Sequence, residues 1–537
     1  MRRRVLHVLI LCVLVLGVVG RLIHDGRLSP KRAPIAASDA LSVSPGQISS
    51  AINGLDLRLA ERLLLGYPTN QPEVSMLRAR FALHRGDCDE ARAILSANGD
   101  PSGHSIHELS TLADGCARAM AAARIVNDEP RSVWVRLQDD ADASWVSLIV
   151  DVAVSARESA ARRLGVSPNL PLRIELVMDH ASLSALTGLP VEAAETTSTV
   201  AVARWGRVTM MSPRAFPKGY PWQDTLAHEI THLLVTFASR DNAPLWLQEA
   251  LAKHLETAWR PPRPLDEKTH EHEVAQKAWL QGRSVGIEHL GASIALLPNP
   301  DAANIAYAEV FDFLDYILRH ASWNAVRLLL YELRELGQNG TDDALRSVTG
   351  YSLAEWILRW RFALSSEKPS GAPMSEQHDE PTVEKSEELE RRVRLAELYS
   401  SSDRHEAVLV TLPQAVLDEH RWTELRSLAG LARLQSGSAA LALDALGSDE
   451  TLVSVQGEWL ALRGRALSEL GRTPQASKYF EWALAYAPTD ERVCCEGYRP
   501  STGDFRGQDP LPISPLSSPL CLAARSMATS AREPSIK

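Results

Sequence analysis

The sequence contains little cysteine and no long block of positive charge. Only 6 of its 537 residues are Cys, and none stand in the Cys-x-x-Cys spacing of a zinc ribbon, which excludes a small disulfide-rich scaffold. Asp and Glu number 67 against 57 for Lys and Arg, so the formal net charge is -10 and binding to nucleic acid is disfavoured. Cys88 and Cys116 are candidates for one local disulfide in an oxidising compartment, although their spacing does not decide the pairing.

The composition also excludes a membrane protein with many spans, because 45% hydrophobic and 23% charged residues are typical of a folded body. One apolar run, residues 5–20, follows three arginines at the extreme N-terminus. We expect residues 1–24 to be a signal anchor, with a cleaved signal peptide as the alternative, and residues 25–47 to be a linker. The body is then expected outside the cytoplasm, on the periplasmic or extracellular side, and attached to the membrane, or secreted if the segment is cleaved.

A chain of this length is expected to fold as several domains. Residues 48–127 carry helical apolar patterns broken by Gly and Pro, which predicts a module of paired helices. Near the C-terminus small and large apolar residues recur at fixed offsets, at Gly464, Leu467, Ala476, Phe480, Ala483 and Pro488. This skeleton resembles the tetratricopeptide repeat, and Ala79, Ala91 and Leu95 of the first module form a degenerate version of it. Residues 387–492 are therefore predicted to form about three repeats, between a linker at 366–386 and a disordered tail at 493–537.

The middle of the chain, residues 128–365, mixes strand and helix patterns and predicts an α+β domain. The predicted strands are 132–138, 172–178, 198–204 and 207–212. Trp205-Gly206 between the last two is a tight-turn signal, so these two strands are expected to form a hairpin. The predicted helices are 144–164, 224–238, 244–257 and 306–319.

A metal-binding pattern lies within the second of these helices, where residues 228–232 read HEITH. His228 and His232 are one helical turn apart and project from one face, close enough to share one Zn²⁺ ion. Glu229 lies beside them, where it can reach a water molecule at the metal. The spacing suits metal-assisted hydrolysis.

A zinc site of this kind needs a third protein ligand. A short turn and a second helix follow the first, and this second helix carries Glu249 seventeen residues beyond His232. A helix that returns over the first would bring Glu249 to the histidine pair. A third histidine at the usual later position is excluded, because Val235 and Ala238 occupy the Gly and His places of that longer motif.

The sequence HEITH followed by PLWLQEALAKHL resembles the gluzincin metallopeptidases, specifically the peptidase MA-like family, over residues 130–365. The resemblance implies a zincin-like fold and one zinc ion per chain, with His228, His232 and Glu249 as ligands and Glu229 as general base. Many gluzincins place an Asp four residues after the ligand Glu to orient a histidine, whereas this chain has Lys253 there. Asp224, one turn before His228, is a candidate substitute.

Tyr307 is the candidate donor for the oxyanion of the reaction, because similar proteins carry an aromatic residue after the glutamate helix. Tyr316 and Tyr220 compete for this role, and a merely structural Tyr307 is an equal alternative. Residues 198–204 are a candidate edge for pairing with an extended substrate, with a buried hairpin strand as the alternative. The charged stretch at 270–273 is interpreted as a solvated helix face, and His254 as a structural residue.

The leading hypothesis is a membrane-anchored, extracytoplasmic zinc peptidase. Its expected partners are a protein or peptide substrate, further proteins that bind the helical repeats, and the membrane through the N-terminal segment, with no role for nucleic acid. The alternative is a scaffold in which the repeats bind proteins and the zinc-binding domain is catalytically weak or inactive. The intact Glu229 favours the enzyme, because a scaffold has no need of a general base.

Overall fold

The computed structural model describes residues 44–67, 72–97, 104–167, 170–216, 218–263, 266, 269–367, 383–419, 423–448, 456–487, 490 and 493. The predicted membrane segment and nearly all of the predicted tail lie outside these residues, and both predicted linkers are described only at their ends. In the described part of the chain, no helix combines the length and the apolar character that crossing a membrane requires.

Helices form both ends of the described chain. The first group comprises α1 (Pro45–Asn53), α2 (Leu57–Leu65), α3 (Pro72–Arg85), α4 (Cys88–Ala97) and α5 (His104–Ala119). The last group comprises α16 (Val383–Ser401), α17 (His405–Thr411), α18 (Gln414–Glu419), α19 (Thr423–Gln435), α20 (Ala439–Leu446), α21 (Gly457–Glu469) and α22 (Thr473–Tyr486). Both groups contain packed helical pairs, as predicted. In the last pair Gly464 lies against the ring of Phe480, so a side chain at position 464 would collide with that ring.

The middle of the chain adds five strands and ten helices among its described residues. The strands are β1 (Arg124–Asp128), β2 (Val133–Leu137), β3 (Leu172–Val177), β4 (Ala201–Arg204) and β5 (Arg207–Met211). The helices are α6 (Val146–Leu164), α7 (His180–Thr187), α8 (Val191–Thr196), α9 (Trp222–Ser239), α10 (Leu245–Leu255), α11 (Thr269–Leu280), α12 (Pro300–His320), α13 (Trp323–Leu336), α14 (Thr341–Thr349) and α15 (Leu353–Ser366). A mostly helical chain with one small mixed sheet is compatible with the predicted α+β class.

The sheet has the strand order β1-β2-β3-β5-β4. The three inner strands run parallel to one another, and each edge strand is antiparallel to its neighbour. Trp205 and Gly206 both adopt positive φ angles between β4 and β5, which confirms the predicted hairpin. The strand β1 was not predicted, since residues 124–128 fell within the predicted helical module.

The two faces of the sheet bury different side chains. Alternate residues of β2, β3 and β5 are aliphatic, among them Val135, Ile174 and Met210, and they share a core with helices α6 and α9. The opposite face carries a buried cluster of charge. The Glu175 carboxylate accepts a hydrogen bond from Arg207 Nε at 2.9 Å and lies 3.3 Å from Arg136 Nη1.

This charged cluster joins the sheet to the first group of helices. Arg207 donates to the Leu83 carbonyl and Arg136 donates to the Gly86 carbonyl, both at the end of α3. A disulfide between Cys88 and Cys116 links α4 to α5 in the same layer, so the pairing that the sequence left open is present. One face of the sheet therefore packs against an apolar layer. The other face contacts a polar layer that contains the disulfide.

Replacing Glu175 with Ala would leave two buried guanidinium groups without their shared carboxylate. We expect the free energy of unfolding of the full-length protein to fall by about 3 to 5 kcal/mol, measured by urea unfolding. The matched control is Glu192→Ala on α8, because the Glu192 side chain is exposed, and its expected change is within about 0.5 kcal/mol. Equal stability of the two variants would contradict this role of Glu175.

Candidate metal centre

The metal-binding pattern lies on α9 and α10, which form a helical hairpin. α9 ends at Ser239, and Arg240 and Asp241 turn the chain with φ angles of 53° and 65°. α10 then begins at Leu245 and packs against α9. Apolar residues of both helices, including Ile230 and Leu247, are buried in the main core. Packing against this core therefore fixes the hairpin in place. The predicted helix, loop and return helix are confirmed.

The hairpin brings the three predicted ligands together. The Nε2 atoms of His228 and His232 lie 3.2 Å apart, and Oε2 of Glu249 lies 3.5 Å from each of them. Ligand atoms about 2.0 to 2.2 Å from a tetrahedral zinc ion are about 3.3 to 3.6 Å apart. The three donors therefore have the separations of three corners of a zinc tetrahedron. Among the described residues this is the one group of three or more His, Cys, Asp or Glu side chains with such convergence.

The electrostatics of these three side chains favour a cation. Oε2 of Glu249 is buried and makes no hydrogen bond. Burial alone would raise the pKa of Glu249, but the two histidines lower it well below its ordinary value. Burial alone would lower the pKa of His228, but the carboxylates of Glu249 and Glu256 raise it to about 10. A buried carboxylate oxygen without a hydrogen bond, beside two imidazole nitrogens, fits a zinc ion, whose preferred ligands are these atom types.

Both histidines have an acceptor at the other ring nitrogen. His228 Nδ1 lies 3.1 Å from Oε2 of Glu256, and His232 Nδ1 lies 3.4 Å from Oε1 of Gln248. Neither acceptor was predicted from the sequence. Lys253 and His228 lower the pKa of Glu256 to about 2 against the effect of burial, so Glu256 is a carboxylate at neutral pH.

The prediction that Asp224 orients His228 is wrong. Asp224 instead accepts hydrogen bonds from Trp259 Nε1 at 3.1 Å and from two nitrogens of Arg260, at 2.8 and 2.6 Å. The ion pair with Arg260 engages both carboxylate oxygens. Asp224 lies on the same helical face as His228, but its carboxylate binds Trp259 and Arg260 in the segment after α10.

A cavity of about 440 Å³, within the usual size of a ligand site, opens beside His228, one of the three predicted ligands. Glu229 lines this cavity and is mostly buried, and its carboxylate has no hydrogen bond or ion pair with any described residue. Residues 197–201, which lead into β4, form one wall of the cavity. The predicted general base and the candidate substrate edge therefore share one cavity with His228.

Of the three candidate tyrosines, Tyr307 alone lines the cavity as far as the structure describes it. Its ring centroid is 6.1 Å from that of His228. Burial and the nearby carboxylates raise the pKa of Tyr307 well above its ordinary value, so its hydroxyl stays protonated. Tyr220 donates its hydroxyl proton to the Met211 carbonyl, and Tyr316 packs against the rings of His320 and Trp356. Tyr220 and Tyr316 are thus held elsewhere.

The stretch 270–273 is not simply a solvated helix face, which corrects the sequence interpretation. Glu271 lines the cavity with its Oε1 atom 3.4 Å from Lys253 Nζ. His272 Nδ1 lies 2.8 Å from Asp312 Oδ1, on the neighbouring helix α12. His254 is buried, and its Nε2 lies 3.2 Å from the Phe311 carbonyl, as expected of a structural histidine, although it also lines the cavity.

Comparison of the chain with known protein families, with curated proteins and with solved structures gives no match in any of the three searches. The geometry and chemistry of the site itself are therefore the basis for a function.

We expect the purified full-length protein to bind one zinc ion per chain, measured by elemental analysis. Glu249→Ala and His232→Ala should each lose this zinc, because two donors hold zinc far more weakly than three. The control is His289→Ala, which removes an exposed histidine away from the cavity and should keep the zinc. Equal zinc content in Glu249→Ala and the parent would exclude the assigned ligand set.

Proposed function

We propose that the protein is a zinc-dependent peptidase that hydrolyses peptide bonds outside the cytoplasm, attached to the membrane through residues 1–24. One observation carries the proposal. Three donors with the separations of a tetrahedral site converge, and one of them, His228, lines a cavity together with Glu229, whose carboxylate makes no hydrogen bond with the described residues. A metal site that only stabilises a fold has four protein ligands, whereas hydrolytic sites keep a position open.

His228, His232 and Glu249 would hold the ion, and zinc supplies Lewis acidity that activates water and polarises a carbonyl group. Glu229 acts as the general base. It takes a proton from the attacking water and delivers it to the nitrogen of the leaving amine. Its place in the cavity next to His228 supports this role, because a general base must lie within reach of the attacking water.

Tyr307 supplies the hydrogen bond to the oxygen that becomes negative as the carbonyl carbon turns tetrahedral. Its hydroxyl is suited to donation, because burial and the surrounding carboxylates raise the pKa of Tyr307 and keep it protonated. Among the described residues no hydrogen-bond acceptor competes for this proton.

The substrate is an extended peptide. β4 is an edge strand, and residues 198–201 at its start line the cavity. An extended chain laid along this edge would satisfy the free backbone groups of the strand and pass the metal ligands. The helical pairs at the two ends of the chain, which we interpret as tetratricopeptide-like repeats around a zincin-like domain, would recruit protein substrates or partners.

The alternative is a repeat-based scaffold whose zinc site has weak or no activity. The open position beside Glu229 and the cavity next to it favour the enzyme, since a scaffold requires neither. Zinc binding without cleavage of any unfolded protein would support the scaffold instead.

Glu229→Gln should retain the zinc and abolish the cleavage of casein, because the amide keeps the shape of the side chain and cannot accept a proton. The measurement is release of soluble peptides by the full-length protein, with zinc content determined on the same samples. A Glu229→Gln protein with parental activity would exclude Glu229 as the base.

Tyr307→Phe should lower kcat about 100-fold to 1000-fold with little change in KM, because the hydroxyl acts on the transition state rather than on the bound substrate. The matched control is Tyr316→Phe, in which the same atom is removed from a tyrosine outside the cavity. Equal kinetic constants for the two variants would show that Tyr307 is structural.

A further inference from the structure

We propose that Glu256 is the positioning residue that orients His228 for metal binding, in place of the carboxylate that this chain lacks at Lys253. The inference rests on the proposed zinc site and concerns the side chains that stand behind its ligands. Its starting point is the contact of 3.1 Å between Glu256 Oε2 and His228 Nδ1.

The helical geometry of α10 explains how Glu256 reaches this place. Glu249, Lys253 and Glu256 are spaced by four and three residues, so they lie along one face of the helix and its C-terminal cap. Glu249 at the first position meets Nε2 of His228, and Glu256 two turns later meets Nδ1 of the same ring. Both nitrogens of the His228 imidazole therefore have a carboxylate neighbour from α10 and its C-terminal cap.

The contact also selects the tautomer of the ring when His228 is neutral, as a metal ligand must be. A carboxylate can only accept, so the proton of the neutral ring is held at Nδ1, and the lone pair of Nε2 lies on the side of Glu249 and His232. This is the arrangement that a zinc ligand needs. A carboxylate behind a ligating histidine also makes the imidazole a stronger donor to the metal.

Lys253 cannot perform this role itself, because an ammonium group has no acceptor. Its Nζ instead lies 2.8 Å from Glu256 Oε1 and 3.4 Å from Glu271 Oε1. The two oxygens of Glu256 are thus divided between two partners, with Lys253 on one and His228 on the other. Lys253 therefore holds one oxygen of the Glu256 carboxylate, and the other oxygen lies beside His228.

The support extends outward through α11. Glu271 is positioned through its neighbour His272. The Nδ1 atom of His272 lies 2.8 Å from Asp312 Oδ1 on α12. The other oxygen of Asp312 accepts a hydrogen bond of 2.7 Å from Trp360 Nε1 on α15. Helices α9 to α12 and α15 are therefore connected through polar contacts that end at His228.

The second histidine has no equivalent support. Its acceptor is the neutral amide oxygen of Gln248, at a longer distance of 3.4 Å from His232 Nδ1. Hydrogen bonds to an ionised acceptor are about twice as strong as those between neutral groups. Loss of Glu256 should therefore weaken the metal centre more than loss of Gln248.

The test compares Glu256→Ala, Glu256→Gln, Lys253→Met and Gln248→Ala with the parent. The zinc dissociation constant of the metal-free, full-length protein is measured by competition with a chromophoric chelator. We expect Glu256→Ala to bind zinc about 10-fold to 100-fold more weakly. Glu256→Gln, which keeps an acceptor without its charge, should fall between Glu256→Ala and the parent, and Gln248→Ala should change less. Glu192→Gln, an exposed substitution, should match the parent.

Two measurements separate positioning from a structural ion pair. Urea unfolding of the metal-free proteins reports the loss of the Lys253 to Glu256 contact, which Lys253→Met and Glu256→Ala share. The visible spectrum of the Co²⁺-substituted proteins reports the ligand geometry, and only the Glu256 variants should change it substantially. Should Glu256→Ala fail to fold, Glu256→Gln provides the same comparison.

Parental zinc affinity in both Glu256 variants would overturn the inference, as would equal loss of affinity in Lys253→Met and Glu256→Ala. Either result would leave the proposed peptidase standing, provided that Glu249→Ala loses its zinc. If the parent binds no zinc and Glu249→Ala behaves identically, the proposed function fails, and the positioning role of Glu256 fails with it.

Discussion

A helix can present two metal ligands from one face, but the third must come from another part of the chain. The short turn between α9 and α10, with Arg240 and Asp241 in the left-handed region, meets this requirement by sending the second helix back over the first. Apolar contacts beneath the hairpin fix the two helices against the sheet. The convergence of the donors, the cavity beside them and the contact between Glu256 and His228 all depend on this return.

The convergence of His228, His232 and Glu249 was predictable from the sequence, because helical spacing places the two histidines on one face and a short turn returns the second helix over the first. The residues behind the ligands were not, since they depend on contacts between distant segments. Asp224 has suitable spacing from His228, yet Arg260, 36 residues later, takes both of its oxygens. Glu256 also has the correct spacing from Glu249, but only the packing of α10 on α9 shows that its carboxylate meets the ring of His228, 28 residues away.

The strands of the sheet were likewise predictable from the sequence only in part. The inner strands were predicted from their β-branched and aliphatic content. β1 was missed because this strand is short and largely exposed, and its pairing with β2 cannot be read from its own residues. The alternating apolar and polar residues of the inner strands also did not reveal that the polar face of the sheet is buried. Arg136, Glu175 and Arg207 look like solvent-facing positions in a linear pattern, whereas all three are buried and Glu175 forms an ion pair with each arginine.

The two edges of the sheet differ in a way that bears on solubility. β1 carries Arg124 and Asp128 at its ends, and charged side chains on an edge discourage pairing with a second chain. β4 is mostly uncharged, with Arg204 at its final position, and its outer backbone groups face no further strand in the described sheet. An edge strand of this kind can form backbone hydrogen bonds with an extended chain, including a segment of another copy of the same protein. Its length of four residues limits such self-association, because so short a strand offers few backbone hydrogen bonds to a neighbouring molecule.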